Sequence, residues 1–369
     1  KFNINTSLIE VPESLAPFYY ASKNMGIAHL NRPTVSIDVG GGTSDITVFN
    51  GGKPELITSF KFAGDSIFGD GFNGNVDLNG FIKTFKPIVS SKLEAAKLVD
   101  KKNILDNLSN SSTNLMSFFF SLSKNNKTNI NFGKTLGENQ DYKVVFLLFY
   151  SSIAYHIAQM LKTKELELPR NIILSGTASK TIKILDSSRG FSFATKLFKQ
   201  IFIEVLGKGE DLDLEISIAD EPKEVTAKGL LDSAAVDHDD VMKLKEILVG
   251  SVDGKIVKQK SKTDNITYSD LENNPEIRKS VVKNVDNFHE LFVKLNKELD
   301  FNEHTGMTLQ SFEIYKEMRN RDVDDFVLQG MKRDMGEIQD LNSTIEETLF
   351  FYPIIGLIPK LAFEISQKA

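Results

Sequence analysis

The stretch VSIDVGGGTSDITVFNGG, residues 35–52, decides the fold that we predict for this chain. Residues 35–38 and 45–49 alternate apolar with polar side chains and are rich in Val, Ile and Thr, which is typical of strands. Three consecutive glycines and Thr43 separate the two segments. The stretch therefore predicts a β-hairpin that turns at residues 40–43.

The run of three glycines asks for a further explanation, because one glycine is enough to turn a hairpin. Glycines have no Cβ, so a ligand can approach the backbone closely, and a concave run of N–H groups binds anions such as phosphate. We therefore predict a phosphate-binding turn at Gly40, Gly41, Gly42 and Thr43. The alternative is a flexible hairpin turn that binds no ligand.

The composition excludes several classes of protein. The 369 residues are 41% hydrophobic, enough for two domains or one large domain with insertions. The net charge of −6 gives no reason to expect a nucleic acid or an anionic membrane as a partner. The absence of cysteine excludes disulfides and thiolate metal sites. We expect a cytoplasmic, bacterial protein and, because the chain begins at Lys1 without methionine, a fragment.

An apolar stretch near the end of the chain, residues 349–363, raises the question of a membrane segment. Pro353, Gly356, Pro359 and Lys360 interrupt it. A spanning helix needs about 20 predominantly apolar residues. We therefore expect a buried terminal helix or a partner surface, with membrane attachment as the alternative.

The rest of the pattern predicts an α/β protein in which helices flank a mixed sheet. Residues 55–62 predict a third strand, residues 144–161 an apolar helix and residues 171–174 a short buried strand. Residues 75–141, which are rich in Asn and Ser, indicate an inserted helical subdomain. Residues 234–369 predict a mostly helical extension, with a hairpin near Asp253 and an amphipathic helix after Pro275. The acidic run at residues 237–240 is more typical of a helix start than of a metal site.

Five features, taken in order, resemble the ATPase superfamily of actins, sugar kinases and heat-shock chaperones. The GGGT hairpin with its flanking aspartates resembles the second phosphate motif, and VPESLA at residues 11–16 resembles the first connecting helix of ParM-like plasmid-segregation actins. Gly64-Asp65-Ser66 resembles the loop after the third strand in ParM-like and DnaK-like proteins. IILSGT at residues 172–177 resembles the adenosine motif, and residues 222–230 resemble the second connecting helix with its Gly229.

The resemblance implies that residues 1–233 form the second lobe of an actin-like ATPase, with a ribonuclease-H-like mixed sheet. It also implies a first lobe upstream of Pro12, which we expect as a missing partner. The intact protein is then expected to hydrolyse ATP, and this chain alone to do so poorly. Two alternatives stay open. One is a ParM-like filament with subunit contacts at residues 75–141 and 234–369, and the other is a non-enzymatic scaffold that kept the fold.

The resemblance also implies roles for the phosphate side of the site. The turn at residues 40–43 contacts the β- and γ-phosphates of ATP. Asp38 holds Mg²⁺ through water, in keeping with the preference of hard cations for oxygen ligands. Glu13 positions the attacking water or acts as a general base, although an acid in the first turn of a helix is also favourable by itself.

On the nucleoside side, the resemblance implies that Gly64 and Asp65 face the ribose. Ser175, Gly176 and Thr177 let the adenine lie against backbone, because a larger side chain there blocks it. Ser175 stands where the family usually has the first glycine of a pair.

Overall fold

The computed structural model describes residues 13–25, 32–69, 75–108, 111–123, 130–188, 190–209, 211–219, 222–232, 248–252, 255–258, 266–336, 340–345 and 347–368. The strands in these ranges are β1 (Thr34–Val39), β2 (Ser44–Asn50), β3 (Lys53–Phe60), β4 (Asn171–Ser175), β5 (Glu215–Ile218), β6 (Leu248–Val252) and β7 (Lys255–Lys258).

Helices of the first part are α1 (Ala16–Asn24), α2 (Gly64–Phe68), α3 (Gly80–Ala95), α4 (Val99–Asn107), α5 (Ser112–Leu122), α6 (Phe132–Glu138), α7 (Lys143–Thr163), α8 (Ile182–Leu185), α9 (Ser192–Leu206) and α10 (Pro222–Asp232). Those of the second part are α11 (Tyr268–Asn273), α12 (Pro275–Leu299), α13 (Phe301–Thr305), α14 (Leu309–Met318), α15 (Val323–Met335) and α16 (Phe351–Lys368). The predicted acidic helix start at residues 237–240 lies outside the described residues, as does the turn at Asp253.

The central sheet has five strands in the order β3-β2-β1-β4-β5. β2 pairs antiparallel with both β1 and β3, whereas β1, β4 and β5 pair in parallel. The predicted hairpin forms with Asp38 opposite Asp45 and Val39 opposite Ser44. The prediction of an α/β protein with a mixed sheet is therefore confirmed.

Helices cover both faces of this sheet because residues on the two faces are apolar. On one face, Phe18 of α1 stacks on Phe49 of β2 with ring centroids 3.8 Å apart. On the other face, Phe149 of α7 stacks on Phe62, which follows β3, at 4.8 Å. α7 is long and apolar enough to cross a membrane, but 94% of its most apolar window is buried inside the protein.

The C-terminal helices share the core of the first part. Phe351, at the start of α16, stacks on Phe60 at 4.5 Å and on Phe62 at 4.6 Å. α16 contains most of the apolar stretch at residues 349–363, and most of its apolar residues are buried, as expected for a buried terminal helix. Its backbone touches α3, since a Cβ at Gly80 would overlap the carbonyl of Ala362.

α1 and α10 cross in close contact beside the sheet. A Cβ on Gly229 of α10 would overlap the backbone carbonyl of Ala16 at the start of α1. Only glycine leaves the space that this crossing needs. The glycine that the sequence singled out in residues 222–230 is thus a packing requirement.

Candidate functional site

The candidate site lies at the sheet edge where the carboxyl ends of four strands meet. β2 is antiparallel to β1 and β3, so β1, β3, β4 and β5 all end at this edge. The glycine turn follows β1, the Gly64-Asp65 loop follows β3, and Gly176 and Thr177 follow β4. Ligands of open α/β sheets bind at such an edge. The topology thus brings three predicted motifs together from distant parts of the chain.

The glycine turn has a definite hydrogen-bonding geometry. Gly40 N–H donates to the Thr43 carbonyl at 2.9 Å and closes the turn. The carbonyl of Gly40 accepts from Gly64 N–H at 3.1 Å, and that of Gly41 accepts from Asp65 N–H at 2.7 Å. In a trans peptide the C=O and the following N–H point in opposite directions, and the described peptides are all trans. The N–H groups of Gly41 and Gly42 therefore point together, away from the Gly64-Asp65 loop.

These two N–H groups are available to a ligand. Gly41 and Gly42 are exposed, and neither N–H donates to another group within the described residues. Neither residue has a positive φ. A Cβ on Gly41 would come no nearer than 3.9 Å to the Asp65 side chain, and one on Gly42 would meet nothing within 4 Å. Within the described residues, neither backbone conformation nor internal packing requires glycine at these two positions.

Asp38 lies half-buried at the end of β1, next to this turn. Burial raises the pKa of its carboxyl from 3.8 to about 6, a hydrogen bond from Ser175 opposes that rise, and the charges of Asp45 and Glu13 add to it. Ser175 Oγ donates to Asp38 Oδ2 at 3.1 Å. Gly176, with φ +80°, packs so tightly against Asp38 that a Cβ would overlap the carboxylate.

Glu13 lies in a 3₁₀ turn, Glu13–Leu15, that leads into α1. Its side chain is exposed. Thr47 Oγ1 donates to the Ser14 carbonyl at 2.9 Å and fastens this turn to β2. The negative charge of Glu13 contributes to the raised pKa of the Asp38 carboxyl.

A large cavity of about 1410 Å³ opens beside the glycine turn. Of the residues predicted to bind nucleotide, it is lined by Gly40, Gly41, Gly64, Asp65 and Thr177. Gly42 instead lines a smaller cavity of about 260 Å³. Ser175 is buried, with its hydroxyl on Asp38.

Several residues that line the large cavity were not predicted from the sequence. They come from α5 to α9, from the 3₁₀ turn Ala178–Thr181 and from the short helix α13, and they include Phe120, Lys143, Lys180, Phe193 and His304. Lys143 is half-buried, burial lowers the pKa of its ammonium, and its Nζ donates to the Thr305 carbonyl. No local pattern marks these residues, because only the tertiary fold brings them together.

A magnesium ion at this site would be held by a protein carboxylate and by the phosphates of a nucleotide together. Among the described residues no group of three or more His, Asp or Glu side chains forms a metal site by itself. Mg²⁺ in nucleotide sites typically keeps several waters and binds one or two carboxylates plus substrate phosphates. Asp38, half-buried beside the turn, is the carboxylate that such an arrangement would use.

Among known proteins, the chain has a weak structural neighbour and no sequence match. No protein-family model and no curated protein matches the chain. Among solved structures it is similar to a chain of a PilM-PilN type IV pilus biogenesis complex, with a TM-score of 0.29 and 12% identity. The match covers 60% of this chain and 52% of that one, so this chain spans about half of that neighbour's length.

Proposed function

We propose that this chain is the nucleotide-binding second lobe of an ATPase of the actin and chaperone type. The observation that carries the proposal is the pair of exposed, parallel N–H groups of Gly41 and Gly42, at a turn where glycine has no internal reason to occur. Two such donors suit the oxygens of a terminal phosphate. The cavity of about 1410 Å³ that Gly40 and Gly41 line has room for the rest of a nucleotide.

The architecture supports the same proposal. A five-stranded sheet ordered β3-β2-β1-β4-β5, with β2 antiparallel to its neighbours, matches the ribonuclease-H-like sheet that the sequence resemblance implies. The crossing of α1 and α10 at Ala16 and Gly229 matches the pair of connecting helices that the resemblance also implies. The N–H side of the glycine turn faces away from Gly64 and Asp65, and Gly41 and Gly42 are exposed.

Each residue then has a chemical task. Gly41 and Gly42 N–H groups bind phosphate oxygens, and Asp38 accepts hydrogen bonds from the water shell of Mg²⁺, which neutralises phosphate charge when bound. Ser175 stabilises the ionised form of Asp38 by donating to it. Glu13 is exposed and is assigned the task of orienting the attacking water.

Calorimetric titration with Mg-ATP tests the proposal. We expect the full-length protein to bind Mg-ATP and the Asp38→Ala variant to bind it at least about tenfold more weakly, a loss of roughly 1.4 kcal/mol. Asp100→Ala is the matched control, because Asp100 is an exposed aspartate at the start of α4. Absence of Mg-ATP binding in the full-length protein would refute the proposal and favour a scaffold that kept the fold.

A further inference from the structure

The C-terminal helices hold the loop that positions the glycine turn. This loop, residues 61–65, runs from the end of β3 into the first two residues of α2. Lys61 Nζ pairs with Asp334 Oδ1 at 2.8 Å, and Lys61 N–H donates to Glu347 Oε2 at 3.0 Å. At the other end of the loop, Arg333 Nη2 donates to the carbonyl of Asp65. Residues more than 260 positions away along the chain therefore fix both ends of the loop.

Asp65 connects these contacts to the candidate phosphate site through its own two peptide groups. Its N–H donates to the Gly41 carbonyl at 2.7 Å, and its carbonyl accepts from Arg333. The hydrogen bond to Gly41 sets the peptide plane that carries the Gly42 N–H. A change in the position of Arg333 thus reaches the proposed phosphate donor Gly42 through one residue, Asp65.

Arg333 is itself held in place by its neighbour. The side chain of Asp334 is only 1% exposed and accepts hydrogen bonds from Lys61, from Tyr268 OH at 2.8 Å and from Tyr352 OH. Burial and the negative charge of Asp334 raise the pKa of both tyrosines, so both remain protonated donors at neutral pH. A buried carboxylate with three donors is costly to move. Asp334 therefore anchors the last turns of α15 beside the loop.

The chain also leaves room for the arginine. Gly69 follows α2 and has a negative φ. A Cβ on Gly69 would overlap both Arg333 Nη2 and the Asp65 carbonyl. Glycine at this position keeps open the space through which Arg333 reaches Asp65. This observation is independent of the hydrogen bonds and points to the same contact.

We propose that Arg333 is a positioning residue for the phosphate-binding turn, through which the C-terminal helices orient the Gly41 and Gly42 N–H groups toward a nucleoside triphosphate. This role rests on the proposed function, and it means that the C-terminal helices help to form the nucleotide-binding site. Arg333 acts through the Asp65 carbonyl and needs no contact with the nucleotide.

The test uses Arg333→Met, which removes the donors and keeps an aliphatic side chain. Lys332→Met is the matched control, since Lys332 is an exposed cation on the same helix. The first readout is hydrogen–deuterium exchange of the nucleotide-free full-length protein. We expect exchange at the amides of Gly64 and Asp65 to rise about tenfold in Arg333→Met, as for loss of a hydrogen bond, and to stay unchanged in Lys332→Met.

The second readout compares affinities for Mg-ATP and adenosine. A positioning role weakens Mg-ATP binding about tenfold in Arg333→Met and leaves adenosine binding unchanged, whereas general destabilisation weakens both. Arg333→Lys retains one donor and is expected to restore most of the Mg-ATP affinity. Normal Mg-ATP binding and unchanged exchange in Arg333→Met would overturn the role of Arg333 alone. A wild-type protein that binds neither ligand would refute the proposed function, and with it this inference.

Discussion

Asp38 on β1 and Ser175 on β4 face each other across two parallel strands, and the serine hydroxyl donates to the carboxylate at 3.1 Å. This contact joins two motifs that are 137 positions apart. A glycine, which the family resemblance leads one to expect at residue 175, has no hydroxyl to give. The serine therefore helps keep a half-buried carboxylate ionised, at the point where the proposed site needs negative charge.

Replacing Asp38 with Asn should stabilise the protein at neutral pH. The folded protein holds the Asp38 proton up to a pKa of about 6, whereas the unfolded chain releases it near 3.8. Because the folded state binds more protons between these values, this group lowers the free energy of unfolding as the pH rises through them. We expect Asp38→Asn to unfold at higher urea concentration at pH 7.5, by about 1–2 kcal/mol after allowing for solvent screening.

Asp38→Asn should lose that advantage near pH 4, since the wild-type carboxyl is then protonated as well. Asp100 is exposed, so Asp100→Asn is the control and should leave urea unfolding unchanged at both pH values. If the wild-type protein were more stable than Asp38→Asn at pH 7.5, the ionised Asp38 carboxylate would be stabilised by its partners. That result would contradict the raised pKa.

Alanine at Gly42 and at Gly51 should have opposite consequences. Gly42 has no positive φ and open space at its Cβ position, so Gly42→Ala is expected to change stability by less than about 0.5 kcal/mol. It should weaken Mg-ATP binding at least about tenfold, because the methyl group occupies space next to the phosphate donor. Calorimetry and urea unfolding of both variants measure these effects.

Gly51, in the turn between β2 and β3, has φ +56° and no neighbour within 4 Å of a Cβ. Gly51→Ala should therefore lose about 1 kcal/mol of stability through backbone strain and keep its Mg-ATP affinity. Equal Mg-ATP binding by Gly42→Ala and wild type would mean that the glycines serve only the turn.

His156 should make the protein sensitive to acid. This residue of α7 is buried, and its Nε2 has no hydrogen-bond partner within the described residues. Burial lowers its pKa from 6.5 to about 3. Because the folded protein keeps His156 neutral, this residue does not reduce the free energy of unfolding above pH 6.5. Below pH 6.5 the free energy of unfolding falls by about 1.4 kcal/mol per pH unit.

We expect His156→Leu to reduce the loss of stability between pH 6.5 and 5 by about 2 kcal/mol, measured by urea unfolding at several pH values. The exposed His304→Asn is the control. If the free energy of unfolding of His156→Leu fell with pH as steeply as that of the wild type, another group would cause the acid sensitivity. The buried His289 would be the next residue to replace.

The crossing of α1 and α10 should not tolerate a side chain at its contact. Gly229→Ala forces a methyl group onto the Ala16 carbonyl, and overpacking of this kind typically costs about 1–3 kcal/mol. Thermal unfolding of Gly229→Ala and of Leu231→Ala, whose side chain is 87% exposed, separates this effect from the general sensitivity of the helix. Equal melting temperatures in the two variants would contradict the close crossing.

Local patterns were enough to predict strands β1 to β4 and the long helices α7 and α12. The predicted strand at residues 35–38 is observed as Thr34–Val39, and the predicted apolar helix at residues 144–161 as Lys143–Thr163. The amphipathic helix expected after Pro275 is observed as Pro275–Leu299, with Val281, Val285 and Phe288 buried. Alternating and 3.6-residue patterns are strong signals when one face is buried. The edge strand β5, four residues long beside acidic residues, gave too weak a pattern to be predicted.

Contacts between segments that are distant along the chain could not be predicted from sequence patterns. The glycine motif indicated a phosphate turn, but the orientation of its N–H groups follows from hydrogen bonds with Gly64 and Asp65. Likewise, nothing in the helix around Arg333 marks it as a neighbour of Asp65. Such contacts depend on tertiary packing, which no window of ten to twenty residues contains.

The most direct test of the central claim observes the two glycine amides themselves. The full-length protein is labelled with ¹⁵N-glycine, and the signals of Gly41 and Gly42 are assigned among the glycines by their loss in Gly41→Ala and Gly42→Ala. We predict that Mg-ATP shifts both signals and that adenosine leaves them in place. Signals of Gly41 and Gly42 that do not move at saturating Mg-ATP would contradict the account.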